Sequence, residues 1–95
     1  MAERVGFASY KVKGGKLIQC EVTYNDNAIK KIKYSGDFFM HPEEAIEELE
    51  NTLKGINFGE VEKTILDFFA TREIELFGVA PEDFVKIVHE AMGKG

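Results

Sequence analysis

At 95 residues the chain is sized for one small domain with a single core, and is too short for a deep cleft between two layers of helices. Hydrophobic content of 44% and charged content of 31% are ordinary for a soluble globular protein, and the longest apolar runs fall far short of the ~20 residues that span a bilayer. A net charge of −5 argues against a dedicated nucleic-acid binder. The lone Cys20 excludes an internal disulfide framework, and no basic-then-apolar leader opens the chain; together they lead us to expect a reducing, cytoplasmic setting. The net charge hides a division. Residues 1–40 carry seven Lys/Arg against four acids, whereas residues 41–95 carry five against thirteen, a division that reads either as helices carrying solvated glutamates or as a polarity able to orient docking.

In chain order, Val5 to Val12 reads as a strand, and Lys13-Gly14-Gly15-Lys16 as the turn of a hairpin, because Gly-Gly supplies the positive φ that primed turns require. Leu17 to Tyr24 alternates cleanly, with Ile18, Cys20, Val22 and Tyr24 on one face and Gln19, Glu21 and Thr23 on the other. Asn25-Asp26-Asn27 turns the chain again. Ala28 to Ser35 forms a third strand, with Ile32 and Tyr34 inward and Lys31, Lys33 and Ser35 outward; Ile29 breaks this parity, which signals a bulge or a late start. The product is a three-stranded antiparallel meander with one wet face.

Tyr34 to Pro42 is where strand-like spacing gives way to helical spacing. Gly36 takes backbone angles closed to other residues, and Asp37 is suited to bonding its own neighbouring backbone, so the pair lets the chain leave the sheet sharply. Phe38 and Phe39 follow. Neighbours in an extended segment point to opposite faces, so one of the two is a candidate for contact outside this chain. Pro42 fits the first position of a helix, with His41 as a helix-entry residue.

Ala45, Ile46, Leu49 and Leu53 then recur at helical spacing, Gly55 marks the end, and Glu50 and Lys54 are spaced to pair on a solvated face. Asn57 and Glu60 have capping-box spacing for a second helix that buries Val61, Ile65, Leu66, Phe68 and Phe69. Arg72 to Val79 gives a short strand or an irregular link. Pro81 opens a third helix with Phe84, Val85, Ile87, Val88 and Ala91 inward, and Gly93 closes it. The expectation is an α+β, two-layer fold in one domain, 1–95, with an antiparallel sheet over 1–40 and about three helices over 41–95 packed on one face.

The residues offer little chemistry of their own. Gly14-Gly15 lacks the other glycines and the Lys-Ser/Thr ending of a phosphate loop. Cys20, His41 and His89 do not approach zinc spacing, and Cys20 alternates with core residues as a buried, inert thiol. Ser9 and Ser35 have no evident base and orienting acid, and His89 fits a helix C-terminus without further role. No catalytic residue and no metal ligand is therefore assigned.

Lys11-Val12-Lys13-Gly14-Gly15-Lys16-Leu17, then Ser35-Gly36-Asp37-Phe38-Phe39, then Pro42 to Glu50 ending in Leu53-Lys54-Gly55, with Leu76-Phe77-Gly78-Val79 and Pro81-Glu82-Asp83-Phe84 beyond, resembles the accessory domain of lipoate–protein ligases over almost the whole chain. The lysine-flanked Gly-Gly hairpin and the Gly-Asp-Phe-Phe join are its most specific parts. The domain is often fused behind a larger catalytic domain; a chain beginning at Met1 resembles the two-chain form. The resemblance implies a heterodimer in which the large catalytic subunit holds lipoate, ATP and magnesium. The small chain, with no cofactor of its own, is then needed to activate lipoate to lipoyl-AMP. Transfer follows to lysines of lipoyl domains of 2-oxoacid dehydrogenases and of the glycine-cleavage carrier protein.

On that reading the partner interface, or the completion of the active site, lies at Lys11, Lys13, Gly14, Gly15, Lys16, Ser35, Gly36, Asp37, Phe38 and Phe39, with Lys13 or Lys16 either near the triphosphate or simply solvated in the turn. Two rivals stand beside it. A lysine at a hairpin tip also suits an acceptor or carrier domain, although such modules are nearly all strand, and a free-standing interaction domain outside lipoate activation has no feature of its own to exclude it.

Overall fold

The computed structural model describes residues 3–12, 14 and 16–93. Strands β1 (Arg4–Lys11), β2 (Leu17–Asn25) and β3 (Ala28–Gly36) form an antiparallel meander in the order β1-β2-β3. The alternation in β2 produces the expected two faces: Ile18, Cys20 and Val22 are buried, and Tyr24 is half-buried beside them. Asp26 sits at φ 56 in the turn to β3, as short polar side chains tolerate. The parity break at Ile29 is a bulge. Thr23 pairs with Lys31 but Tyr24 pairs with Ile29, so Lys30 is the extra residue and both Ile29 and Ile32 reach the core.

Three helices cover the dry face: α1 (Glu44–Leu53), α2 (Val61–Ala70) and α3 (Pro81–Ala91). Ala45, Leu49 and Leu53 enter from α1, Val61, Ile65 and Phe68 from α2, and Phe84, Val85, Ile87, Val88 and Ala91 from α3, which makes one continuous core. Leu66 and Phe69, expected inside, are half-buried and packed against it. Tyr34 lies fully within and donates from its hydroxyl to the Phe84 carbonyl at 3.0 Å. Burial, then neighbouring Cys20 and Glu50, raise that phenol well above its ordinary range, so it remains a donor. Pro81 does open α3, and the Asp83 carboxylate accepts the Ala80 N–H at 2.7 Å in its first turn. The far end of α3 comes so close to β1 that a Cβ on Gly6 would overlap the Ala91 carbonyl.

A second, two-stranded sheet was not foreseen as such. Strand β4 (Phe39–His41) pairs antiparallel with β5 (Glu75–Phe77), which settles Arg72–Val79 as a link containing a short strand. Because β4 occupies residues 39–41, the turn into α1 comes after it. Pro42 therefore lies ahead of the helix, following a cis His41–Pro42 peptide, and its carbonyl accepts the Ala45 N–H at 3.1 Å.

Two smaller expectations also change. Asn57 makes no side-chain cap, since its extended backbone forms a bridge to Ala28; instead a 3₁₀ turn over Phe58–Glu60 leads into α2. Glu50 does not pair with Lys54. It accepts the Tyr34 N–H at 2.8 Å, because α1 crosses the outer edge of β3 there, and the ion pair found among the described residues is Arg72–Glu48 at 3.9 Å. Among the described residues no helix is long and apolar enough to cross a membrane.

Candidate functional site

Three segments far apart in sequence meet at one end of the domain. The first is the β1–β2 hairpin, closed by the Val12 N–H donating to the Lys16 carbonyl at 2.7 Å. The second is the join after β3, where Gly36 adopts φ 147 and a Cβ would overlap the Leu17 carbonyl. Asp37 binds the two together. Its side chain accepts the Leu17 N–H at 2.6 Å and its own N–H donates to the Leu17 carbonyl at 3.1 Å, so it bonds across to β2 rather than to its neighbours as expected. The third is the stretch after β5, where Gly78 adopts φ 92 and lies against the stem of Lys16.

The two adjacent phenylalanines separate as pleating requires. Phe38 turns inward, half-buried, with its ring edge-on to Phe84 at 5.5 Å and 89°. Phe38 thus packs against the core, while Phe39, which belongs to the same expected set, is 68% exposed. Opposite Phe39 in the β4–β5 register stands Phe77, itself 55% exposed. An isolated exposed phenylalanine is unremarkable, but two in register make an apolar patch at the end where the hairpin and the join converge.

Of the other expected residues, Lys11 and Ser35 are exposed, the latter donating from its hydroxyl to Gln19 at 3.3 Å, and Gly14 stands in open space at φ 107. Lys16 is half-buried. Lys13 and Gly15 lie outside the described residues. Beyond this end, the wet face of the sheet exposes Lys31 and Lys33 together with Val5 and Phe7 on β1. Sequence reasoning missed Phe77 and Gly78. The signal for them was the parity of Leu76 and Phe77 in a strand too short to assign.

Inward of the hairpin, the Tyr10 hydroxyl donates to the Asp83 carboxylate at 2.7 Å. Burial and that carboxylate push the phenol up, so the bond persists through neutral pH and ties β1 to the start of α3. Burial, with Glu50 and Glu21 adding to it, likewise raises the Cys20 thiol, which keeps it protonated and unreactive. Among the described residues no group of three or more His, Cys, Asp or Glu is placed to hold a metal ion.

A family described as the bacterial lipoate protein ligase C-terminus matches residues 8–88, a span that takes in the hairpin, the join and the Gly78 loop. The chain belongs to the lipoate protein ligase C-terminal family. A relative in it, lipoate-protein ligase A subunit 2 of Thermoplasma acidophilum, is 40% identical over 78 residues, covering 82% of this chain and 81% of that protein. A solved chain from the same organism's archaeal lipoylation system, described as a bipartite lipoate protein ligase and its E2 lipoyl domain, superposes with a TM-score of 0.84 at 34% identity, over 92% of this chain and 97% of that one.

Proposed function

We propose that this chain is the small accessory subunit of a two-chain lipoate–protein ligase, cytoplasmic, and that it completes the site in which the large catalytic chain activates lipoate to lipoyl-AMP. The observation that carries the reading is the match to a relative named as a ligase subunit, which covers 81% of that protein's length as well as 82% of this chain. The geometry supports it. A patch of two exposed phenylalanines beside a lysine-bearing hairpin suits docking against a larger protein and the delivery of positive charge to its rim.

ATP, magnesium and lipoate belong to the large chain in this reading, and Lys16 approaches the triphosphate from the small one. Positioned charge acts more strongly in a site closed to water, so a chain without nucleophile or base still promotes adenylation by closing the site and fixing its partner's loops. The reading predicts that ATP–pyrophosphate exchange with lipoate is slow with the large chain alone and restored by adding this one. Transfer of lipoyl from preformed lipoyl-AMP to an acceptor lysine proceeds either way. Equal exchange with and without the small chain would end it. Intact mass after incubation with ligase, lipoate and ATP separates the acceptor alternative, since an acceptor gains the lipoyl group and an accessory subunit does not.

A further inference from the structure

Lys16 is held from three sides while its charge is left over. Its carbonyl accepts from Val12 at 2.7 Å, and the next residue is fixed by the pair of Asp37–Leu17 bonds at 2.6 and 3.1 Å. Its side-chain stem lies on Gly78: a Cβ there would overlap Lys16 Cγ and fall 3.0 Å from its Cβ and 3.1 Å from its Cδ. Among the described residues no carboxylate lies within ion-pair distance of the Lys16 ammonium, although 17 acids occur in the chain. A free surface lysine keeps its rotamer entropy and needs none of this support. Gly78 is also at φ 92, where a side chain is unfavourable in itself, and it belongs to a different segment, after β5, that nothing in the hairpin requires.

From this we infer that Gly78 is a positioning residue for Lys16: the loop after β5 supplies a bare backbone surface on which the lysine stem lies, so that its ammonium is presented already ordered to a phosphate-bearing ligand. An ammonium is a compact point charge suited to phosphate oxygens, and one that is pre-ordered forfeits less entropy on contact. The inference rests on the proposed role in adenylation and adds to it a second residue, from the C-terminal half, that acts only through Lys16.

The test uses the assembled two-chain enzyme and ATP–pyrophosphate exchange. Lys16→Met keeps the stem and removes the charge; it should lower exchange on the order of 10²-fold, as loss of one positioned donor does, with complex formation unchanged. Gly78→Asn introduces the side chain least disfavoured at positive φ yet adds a Cβ that displaces the stem, and should lower exchange comparably. The double variant should be no slower than Lys16→Met alone. A Gly78→Asn enzyme as fast as the parent, or a double variant slowed by the product of both effects, overturns the positioning role.

Urea midpoints supply the structural arm. The destabilisation by Gly78→Asn should shrink in a Lys16→Ala background, where the stem is gone, and an unchanged loss there would also refute the contact. If Lys16→Met is as active as the parent while the small chain remains required, the inference fails and the proposed function stands. If the small chain is not required at all, the proposed function fails first.

Discussion

Truncating Phe39 to alanine isolates docking from folding. The side chain is 68% exposed, so little of its surface contributes to the core. A phenylalanine offers roughly 200 Å² for burial, of which roughly 140 Å² is open here. At ~25 cal/mol per Å² its full coverage by a partner is worth about 3.5 kcal/mol, and incomplete coverage with the remaining alanine surface brings the expected loss to roughly 2 kcal/mol, or about 30-fold in Kd. The assay is titration calorimetry of the variant into the large catalytic chain, with a thermal melt of the free variant alongside. Phe39→Ala should melt as the parent does and bind more weakly. Phe38→Ala should do the reverse, losing roughly 2 kcal/mol of stability through its contact with Phe84. Parental affinity in a folded Phe39→Ala variant would refute the assignment of this patch to the interface.

Phe77→Ala, at 55% exposure, should weaken the same association by a similar but smaller factor in the same titration. Gly6→Ala places a methyl group into the Ala91 carbonyl and should cost roughly 2 kcal/mol or more in urea unfolding, since backbone must move to admit it. Stability should fall as pH rises above about 10: Tyr10 and Tyr34 are raised from 10.0 in the fold, so the unfolded chain ionises first and folding stabilisation drains away until the folded values are passed. Tyr10→Phe should flatten that decline in urea midpoints taken between neutral pH and pH 11. Native Cys20 should resist thiol reagents at pH 8 and react once the protein is unfolded, as read by intact mass.

How far the sequence disclosed this structure depends on whether a signal was local. The β2 alternation of Ile18, Cys20 and Val22 against Gln19, Glu21 and Thr23 is complete within one strand, and even the bulge showed itself as the misplaced Ile29. The three helices were visible for the same reason. What stayed hidden was decided at a distance. Pairing of β4 with β5 joins Phe39 to Phe77 across 38 positions, and three-residue strands carry too little periodicity to announce themselves. Alternation required that only one of Phe38 and Phe39 face the core; it is Phe38 because Phe84 arrives there from α3. Glu50 had an apparent helical partner in Lys54 and took the Tyr34 amide instead, a bond to a strand edge that i,i+4 spacing does not describe. In the candidate site the hairpin and the join were legible as motifs, whereas the bond that holds them together, Asp37 reaching back to Leu17, was not.

That Glu50 bond has a further effect, on how the sheet ends. At the other end of β3 the Ile29 N–H donates to the Ile56 carbonyl at 2.9 Å and the Gly55 N–H returns to the Ile29 carbonyl at 2.7 Å, so this border is closed at both ends by the chain's own groups. β1 forms the opposite border, and among the described residues its outer amides have no such cover. Among the described residues, strand addition is thus blocked along β3 and has one border left to it, the strand that carries Val5 and Phe7.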